Sequence, residues 1–98
     1  MPALEWRQIA RADLLAIVDY ISDDNPDAAQ RLKDEIEAKV ADLPTHPKLY
    51  RHGRVAGTRE MVVRRNYVVI YSEDARTVAV LRVLHAAQQW PPLDESSC

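Results

Sequence analysis

Phenylalanine is absent from this 98-residue chain, and glycine, tryptophan and cysteine occur only twice, twice and once. Each shortage excludes something. The lone Cys98 cannot close an internal disulfide, and no Cys ligand set for zinc exists. Two glycines are too few for a phosphate-cradling loop, and neither a Ser-His-Asp set nor a Cys–His pair is visible. His46 and His52 have no partner at metal-ligand spacing, so no metal and no cofactor is expected. No apolar run approaches the roughly 20 residues that span a bilayer. The stretch Met1 to Gln8 has neither the basic nor the apolar region of a secretory signal, which leads to the expectation of a cytoplasmic protein with no membrane association.

What is present points to one aliphatic core. Hydrophobic residues make up 47% of the chain, and with so few aromatics the interior must be built from Leu, Ile, Val and Ala. A chain of this length buries roughly 60 to 65% of its unfolded surface, enough for a single domain. The formal net charge of −2 conceals a division along the sequence. Residues 1–47 carry five basic and ten acidic side chains, whereas residues 48–65 carry Lys48, Arg51, Arg54, Arg59, Arg64 and Arg65 against Glu60 alone. The local charge of +5 reads either as a solvated loop and strand edge or as a surface that meets phosphate or an acidic protein.

Hydrophobic spacing sets the order of elements. Leu4 to Arg7 can open with a short strand, after which Leu14, Ile17, Val18 and Ile21 follow a helical period that ends near Ser22. Asn25 is predicted to cap a second helix with Pro26 at its first position, and Ala29, Leu32, Ile36, Val40 and Leu43 mark its buried face until Pro44. The short link between the two predicts an antiparallel helical hairpin. Pro44 to Gly57 reads as a loop. The runs Arg59 to Arg65, Tyr67 to Ser72 and Thr77 to Leu84 then predict a three-stranded antiparallel meander with turns near Arg65–Asn66 and Glu73–Arg76. Tyr67 to Tyr71 is apolar on both faces and belongs inside the sheet. The expected fold is therefore α+β: an N-terminal strand, then a helical hairpin packed on a twisted, mainly antiparallel sheet of three to four strands. Residues 1–91 are expected to form one domain and residues 92–98 a flexible tail.

The residues that carry this order also resemble a known group. Val55 to Glu60, Asn66 to Tyr71, and Val83 to Pro91 are similar to the matching segments of RelE/ParE superfamily toxins, as are Asp13, Leu14, Ile17, Tyr20 and Ile21 on the first helix and Ala29 and Leu32 on the second. The resemblance spans residues 3–91. It implies a RelE/ParE-like fold and a toxin of a type II toxin–antitoxin system, neutralised by a cognate antitoxin encoded in the same operon. ParE-like members imply DNA gyrase as the target, inhibited by binding. RelE-type members imply a ribosome-dependent mRNA endonuclease acting on the ribosome and its message. A third implied possibility is an inactive homologue that only binds antitoxin. RelE-type enzymes commonly carry an Arg three residues before a Tyr corresponding to Tyr71, and here that position is Val68. Their clustered lysines also lack a counterpart, which favours the ParE-like reading.

If the chain were a ribonuclease, Arg64, Arg65, Arg82 and His85 would have to converge on one phosphate. As a binding toxin, it would meet its target through Arg51, Arg54, Arg59, Arg64, Arg65 and Trp90. Alternate spacing would place Arg59 and Arg65 on one strand face and Arg64 on the other. Arg59 reads equally as the partner of a helix carboxylate, and Glu60 reads first as a salt-bridge acceptor. His85 is either a phosphate contact or a strand-end side chain packed locally. Tyr67 and Tyr71 read as sheet core, and Trp90 as a partner anchor or a cap on the core.

Overall fold

The sequence periods resolve into seven elements in a computed structural model that describes residues 2–86. These are strand β1 (Ala3–Trp6), helix α1 (Gln8–Ser22), helix α2 (Pro26–Ala41), and strands β2 (Arg51–His52), β3 (Thr58–Val63), β4 (Tyr67–Glu73) and β5 (Thr77–His85). Trp90 and the tail lie outside the described residues. The strands form one sheet in the order β1-β5-β4-β3-β2, so the doubly apolar β4 is central, as its composition predicts. All pairings are antiparallel except β1 on β5.

The helices form where expected. Asn25 accepts a hydrogen bond from Ala28 N–H at 3.0 Å, with Pro26 occupying the position whose missing N–H is harmless. The α2 helix stops at Ala41 rather than at Pro44, and Leu43 stays buried in the turn that follows. Ala10 and Leu14 of α1 and Leu32, Ile36 and Val40 of α2 pack on Met61, Val63, Val69, Tyr71, Val78, Val80 and Val83 of the sheet. This is the single aliphatic core that the composition requires.

Three features depart from the expectations. The loop from Pro44 to Gly57 contains β2, because Arg51 and His52 pair with Glu60 and Arg59 and extend the sheet to five strands. That pairing adds only two residues, too few to leave a periodic signal. Arg64 and Arg65 lie beyond β3 in its three-residue connection to β4, so the proposed alternation of Arg59, Arg64 and Arg65 along one strand does not exist. Both arginines have left-handed backbones, with φ of 54° and 65°, at a cost on the order of 1 kcal/mol each for a side chain bearing Cβ.

The third departure concerns β5, which is not straight. Ile70 pairs with Arg82 but Tyr71 with Val80, leaving Leu81 as an extra residue in a bulge. At the same point β1 ends, its last pair being Trp6 with Val80, followed by Arg7 N–H to Val80 C=O at 2.9 Å. The outer edge of β5 would then be open. Instead Asp13, from the first half of α1, accepts the Val83 N–H at 3.0 Å and grips Arg82 through two bonds of 2.7 and 3.0 Å. One carboxylate thus closes a strand edge and docks a helix.

Asp13→Ala is expected to destabilise the fold by about 2 to 3 kcal/mol, because it removes two bonds from a partly buried guanidinium and the acceptor of a backbone donor. Asp13→Asn, which keeps an acceptor, is expected to lose less, and urea unfolding of the two variants measures the difference. At the β4–β5 turn, Asp74 accepts from the N–H groups of Arg76 and Thr77, both at 2.7 Å, and these bonds hold its carboxyl below the usual aspartate range. A depressed carboxyl contributes stability above its unfolded pKa and loses it as pH falls through the lower folded value. Asp74→Asn is therefore expected to lower the urea midpoint at neutral pH and to flatten its fall below about pH 4, so that the two proteins converge in acid.

Candidate functional site

The face of the sheet away from the helices holds the charge asymmetry seen in the sequence. In β3, alternation sends Met61 and Val63 into the core and Glu60 and Val62 to the other side, where they meet Val68 and Ile70 of β4. Leu84 of β5 pairs with Val68 and completes an apolar floor. A cleft of about 150 Å³ opens over this floor. Around it stand Arg51 from β2, Arg54 from the β2–β3 loop, Arg65 from the β3–β4 turn and His85 from the end of β5. Three cations from separate segments thus converge on one apolar recess.

Glu60 organises two of them. Its side chain is only 7% exposed; Oε1 accepts from Arg51 Nη2 at 2.9 Å, and Oε2 accepts from the Arg54 backbone N–H at 3.2 Å. The carboxylate therefore fixes the ends of the loop that carries both arginines, while leaving the Arg51 side chain 61% exposed. The loop is tight for additional reasons. Gly53 N–H donates to Thr58 C=O at 2.7 Å, and a Cβ on Gly53 would collide with Thr58 Oγ1. Gly57 has φ +82°, which glycine adopts without strain. Both glycines of the chain thus serve one six-residue turn, Gly53 to Thr58.

The four residues of the ribonuclease set are not gathered together. Arg65 and His85 line the cleft, but Arg64 Nε bonds Glu35 of α2 at 2.7 Å and Arg82 is held by Asp13 of α1. His85 and the Tyr67 ring also stand nearly perpendicular to each other, with centroids 5.5 Å apart. Of the target-binding set, Arg51, Arg54 and Arg65 face the cleft, and Trp90 lies outside the described residues. Arg59 is turned inward, with its side chain 14% exposed; it donates to Tyr50 C=O at 2.7 Å and pairs with Glu73 at 3.6 Å. Its carboxylate partner is on β4, not on the helices.

Tyr71 stands on the core side of β4, opposite to Val68. Its hydroxyl donates to Pro47 C=O at 3.0 Å, and burial pushes its pKa up to about 12 despite the nearby Arg59. A phenol so placed is a structural pin rather than a proton carrier at neutral pH. Among the described residues no three His, Cys, Asp or Glu side chains gather as metal ligands, and no helix is long and apolar enough to cross a membrane. Glu60 is the salt-bridge acceptor that the sequence suggests, whereas the role of Asp13 escapes a linear reading. Asp13 and Val83 are 70 positions apart, and nothing in their spacing announces the bond.

Glu60→Ala is expected to cost about 1 to 3 kcal/mol and to accelerate hydrogen exchange at the Arg54 amide, while amides in the centre of β4 stay protected relative to global unfolding. Exchange mass spectrometry over residues 51–60 measures this.

Comparison with known proteins gives a consistent picture. The family described as ParE toxin of type II toxin-antitoxin system, parDE, matches residues 4–90. The putative toxin Y4kP of Sinorhizobium fredii (strain NBRC 101917 / NGR234) is 39% identical over 88 residues, covering 90% of this chain and 92% of that protein. Toxin RelE2 of Caulobacter vibrioides is 37% identical over 90 residues, covering 90% of this chain and 99% of the relative. Among solved structures, a chain of the chromosomal ParDE TA system from P. aeruginosa superimposes with a TM-score of 0.78. It is 24% identical and the match covers 87% of this chain and 96% of the other, a likeness that concerns the fold.

Proposed function

The chain belongs to the ParE toxin family of type II toxin–antitoxin systems, and from this premise we propose that it is a cytoplasmic toxin that inhibits DNA gyrase by binding it. A cognate antitoxin encoded in the same operon holds it in check. The observation that carries the reading is a cationic cleft in which, among the described residues, only Arg65 and His85 of the four ribonuclease candidates stand. Arg51, Arg54 and Arg65 offer charge for recognition, while Arg64 and Arg82 are engaged by helix carboxylates. Cleavage of an RNA linkage needs an acid and a base within hydrogen-bond reach of one phosphate. The phenol at position 71 is enclosed on the far side of the sheet, and the cleft presents Val68 where RelE-type enzymes commonly present Arg.

A binding toxin needs no such set. It needs a shaped, charged surface on a rigid support, and a cleft formed by strand ends and tight turns meets that requirement. Arg54 and Arg65 are the residues assigned to direct target contact. Arg51 contributes charge with Glu60 behind it, and Arg59 supports the site by holding the segment before β2 against the sheet.

Induction of the chain alone is expected to arrest growth, and co-expression of the neighbouring gene's product is expected to relieve the arrest. Purified toxin should block supercoiling by gyrase and leave cleaved plasmid trapped on the enzyme, and Arg54→Glu or Arg65→Glu should weaken that inhibition about tenfold or more. Cleavage of messages on translating ribosomes with gyrase untouched would overturn the reading in favour of an endonuclease. Absence of growth arrest with retained antitoxin binding would identify an inactive homologue.

A further inference from the structure

The four residues that lead into β2, Pro47 to Tyr50, form a strap fastened by two side chains of the sheet. Tyr71 of β4 donates to Pro47 C=O at 3.0 Å, and Arg59 of β3 donates to Tyr50 C=O at 2.7 Å and to Lys48 C=O at 3.4 Å. Arg59 and Tyr71 are direct partners in the β3–β4 ladder, so both anchors rise from one place. The preceding turn is closed by Leu49 N–H on His46 C=O at 3.2 Å, and Pro47 fixes a further backbone angle. Within this strap Tyr50 packs against the core, whereas Leu49 is 65% exposed. A single exposed leucine is ordinary on a protein surface. This one differs in its setting, because the carbonyls on both sides of it are held by the sheet. Its neighbours also share one sign of charge: Lys48, Arg51 and His52 are exposed, and no Asp or Glu occurs between Asp42 and Glu60.

We propose that Leu49 is an apolar anchor which enters a pocket rimmed by acidic side chains on the gyrase target, and that Arg59 and Tyr71 are positioning residues that hold it ready. This contact rests on the gyrase reading above and adds to it an anchor that is not among the residues lining the cleft. A leucine gains by leaving water for an apolar pocket, which a protein surface offers and a phosphate backbone does not. Lys48 beside it favours a rim of Asp and Glu around that pocket. A second copy of this chain is a poor occupant, since meeting across this rim would bring Lys48 and Arg51 against their own counterparts. Because the sheet already orders the backbone on either side of Leu49, little ordering is left to be done on contact. Arg59 and Tyr71 thereby act on the target through Leu49 without touching it.

The test measures the concentration of purified full chain that half-inhibits supercoiling of plasmid by gyrase. Leu49→Asp and Leu49→Ser are each expected to raise it about tenfold or more, and Leu49→Met is expected to keep it within about threefold. Leu49 is exposed, so unchanged thermal unfolding certifies these variants. Tyr71→Phe, assayed well below its unfolding temperature, removes the bond to Pro47 and is expected to raise the half-inhibiting concentration about threefold or more. In the Leu49→Ser background the same change is expected to add nothing, which a merely structural role would not produce. The photocrosslinker p-benzoylphenylalanine in place of Leu49 is expected to capture a gyrase subunit. Full inhibition by Leu49→Ser, loss with Leu49→Asp alone, additive effects of Tyr71→Phe and Leu49→Ser, or capture of plasmid DNA overturns the strap contact. In each case inhibition by the wild-type chain leaves the gyrase reading standing. A wild-type chain that leaves gyrase untouched overturns that reading and the strap contact with it.

Discussion

The architecture turns on how the outer edge of β5 is completed. For its first half the strand has β1 as a parallel neighbour, and for its second half it has a carboxylate. The changeover coincides with the bulge at Leu81, which bends the strand where its neighbour ends. Because Asp13 is on α1, the same bonds that satisfy the strand also set where the helical hairpin sits over the sheet. A sheet of this size with one open flank would invite pairing with other chains. Here a helix covers that flank, and the aliphatic core fills the space beneath.

The opposite end of the sheet is built on a different economy of parts. Two glycines, a threonine and a buried glutamate produce a tight loop that fixes the backbone from which Arg54 projects. Rigid support lowers the ordering penalty that long side chains bring to an interface. The cationic character of the cleft is thus a property of backbone geometry as much as of composition. Arg64 adds to this by reaching back to Glu35, which ties the tip of the β3–β4 hairpin to α2.

Much of this layout is legible in the linear sequence. The Asn25–Pro26 start, the stripe Leu32, Ile36 and Val40, and the doubly apolar run from Tyr67 to Tyr71 each have one physical interpretation, and each is found where the pattern places it. Tyr67 and Tyr71 share the core side, as even spacing demands. What stays hidden depends on contacts between remote segments. The pairing of β2 is too short to show a period, the capture of Arg82 depends on where α1 crosses the sheet, and the site is a convergence of arginines from one strand and two connections. The basic stretch from Lys48 to Arg65 is visible as charge, yet only folding separates Arg59, which turns inward, from Arg51, Arg54 and Arg65, which do not.

The left-handed pair at the tip of the β3–β4 hairpin has a bearing on how such a chain can change over time. An Asn-Gly pair would suit that backbone far better and would steady the molecule. It would also strip the recess of a guanidinium and unfasten the hairpin from the helix. Under the proposed function, selection for durability and selection for potency pull positions 64 and 65 in opposite directions, and a lineage released from the second should drift toward the more comfortable turn.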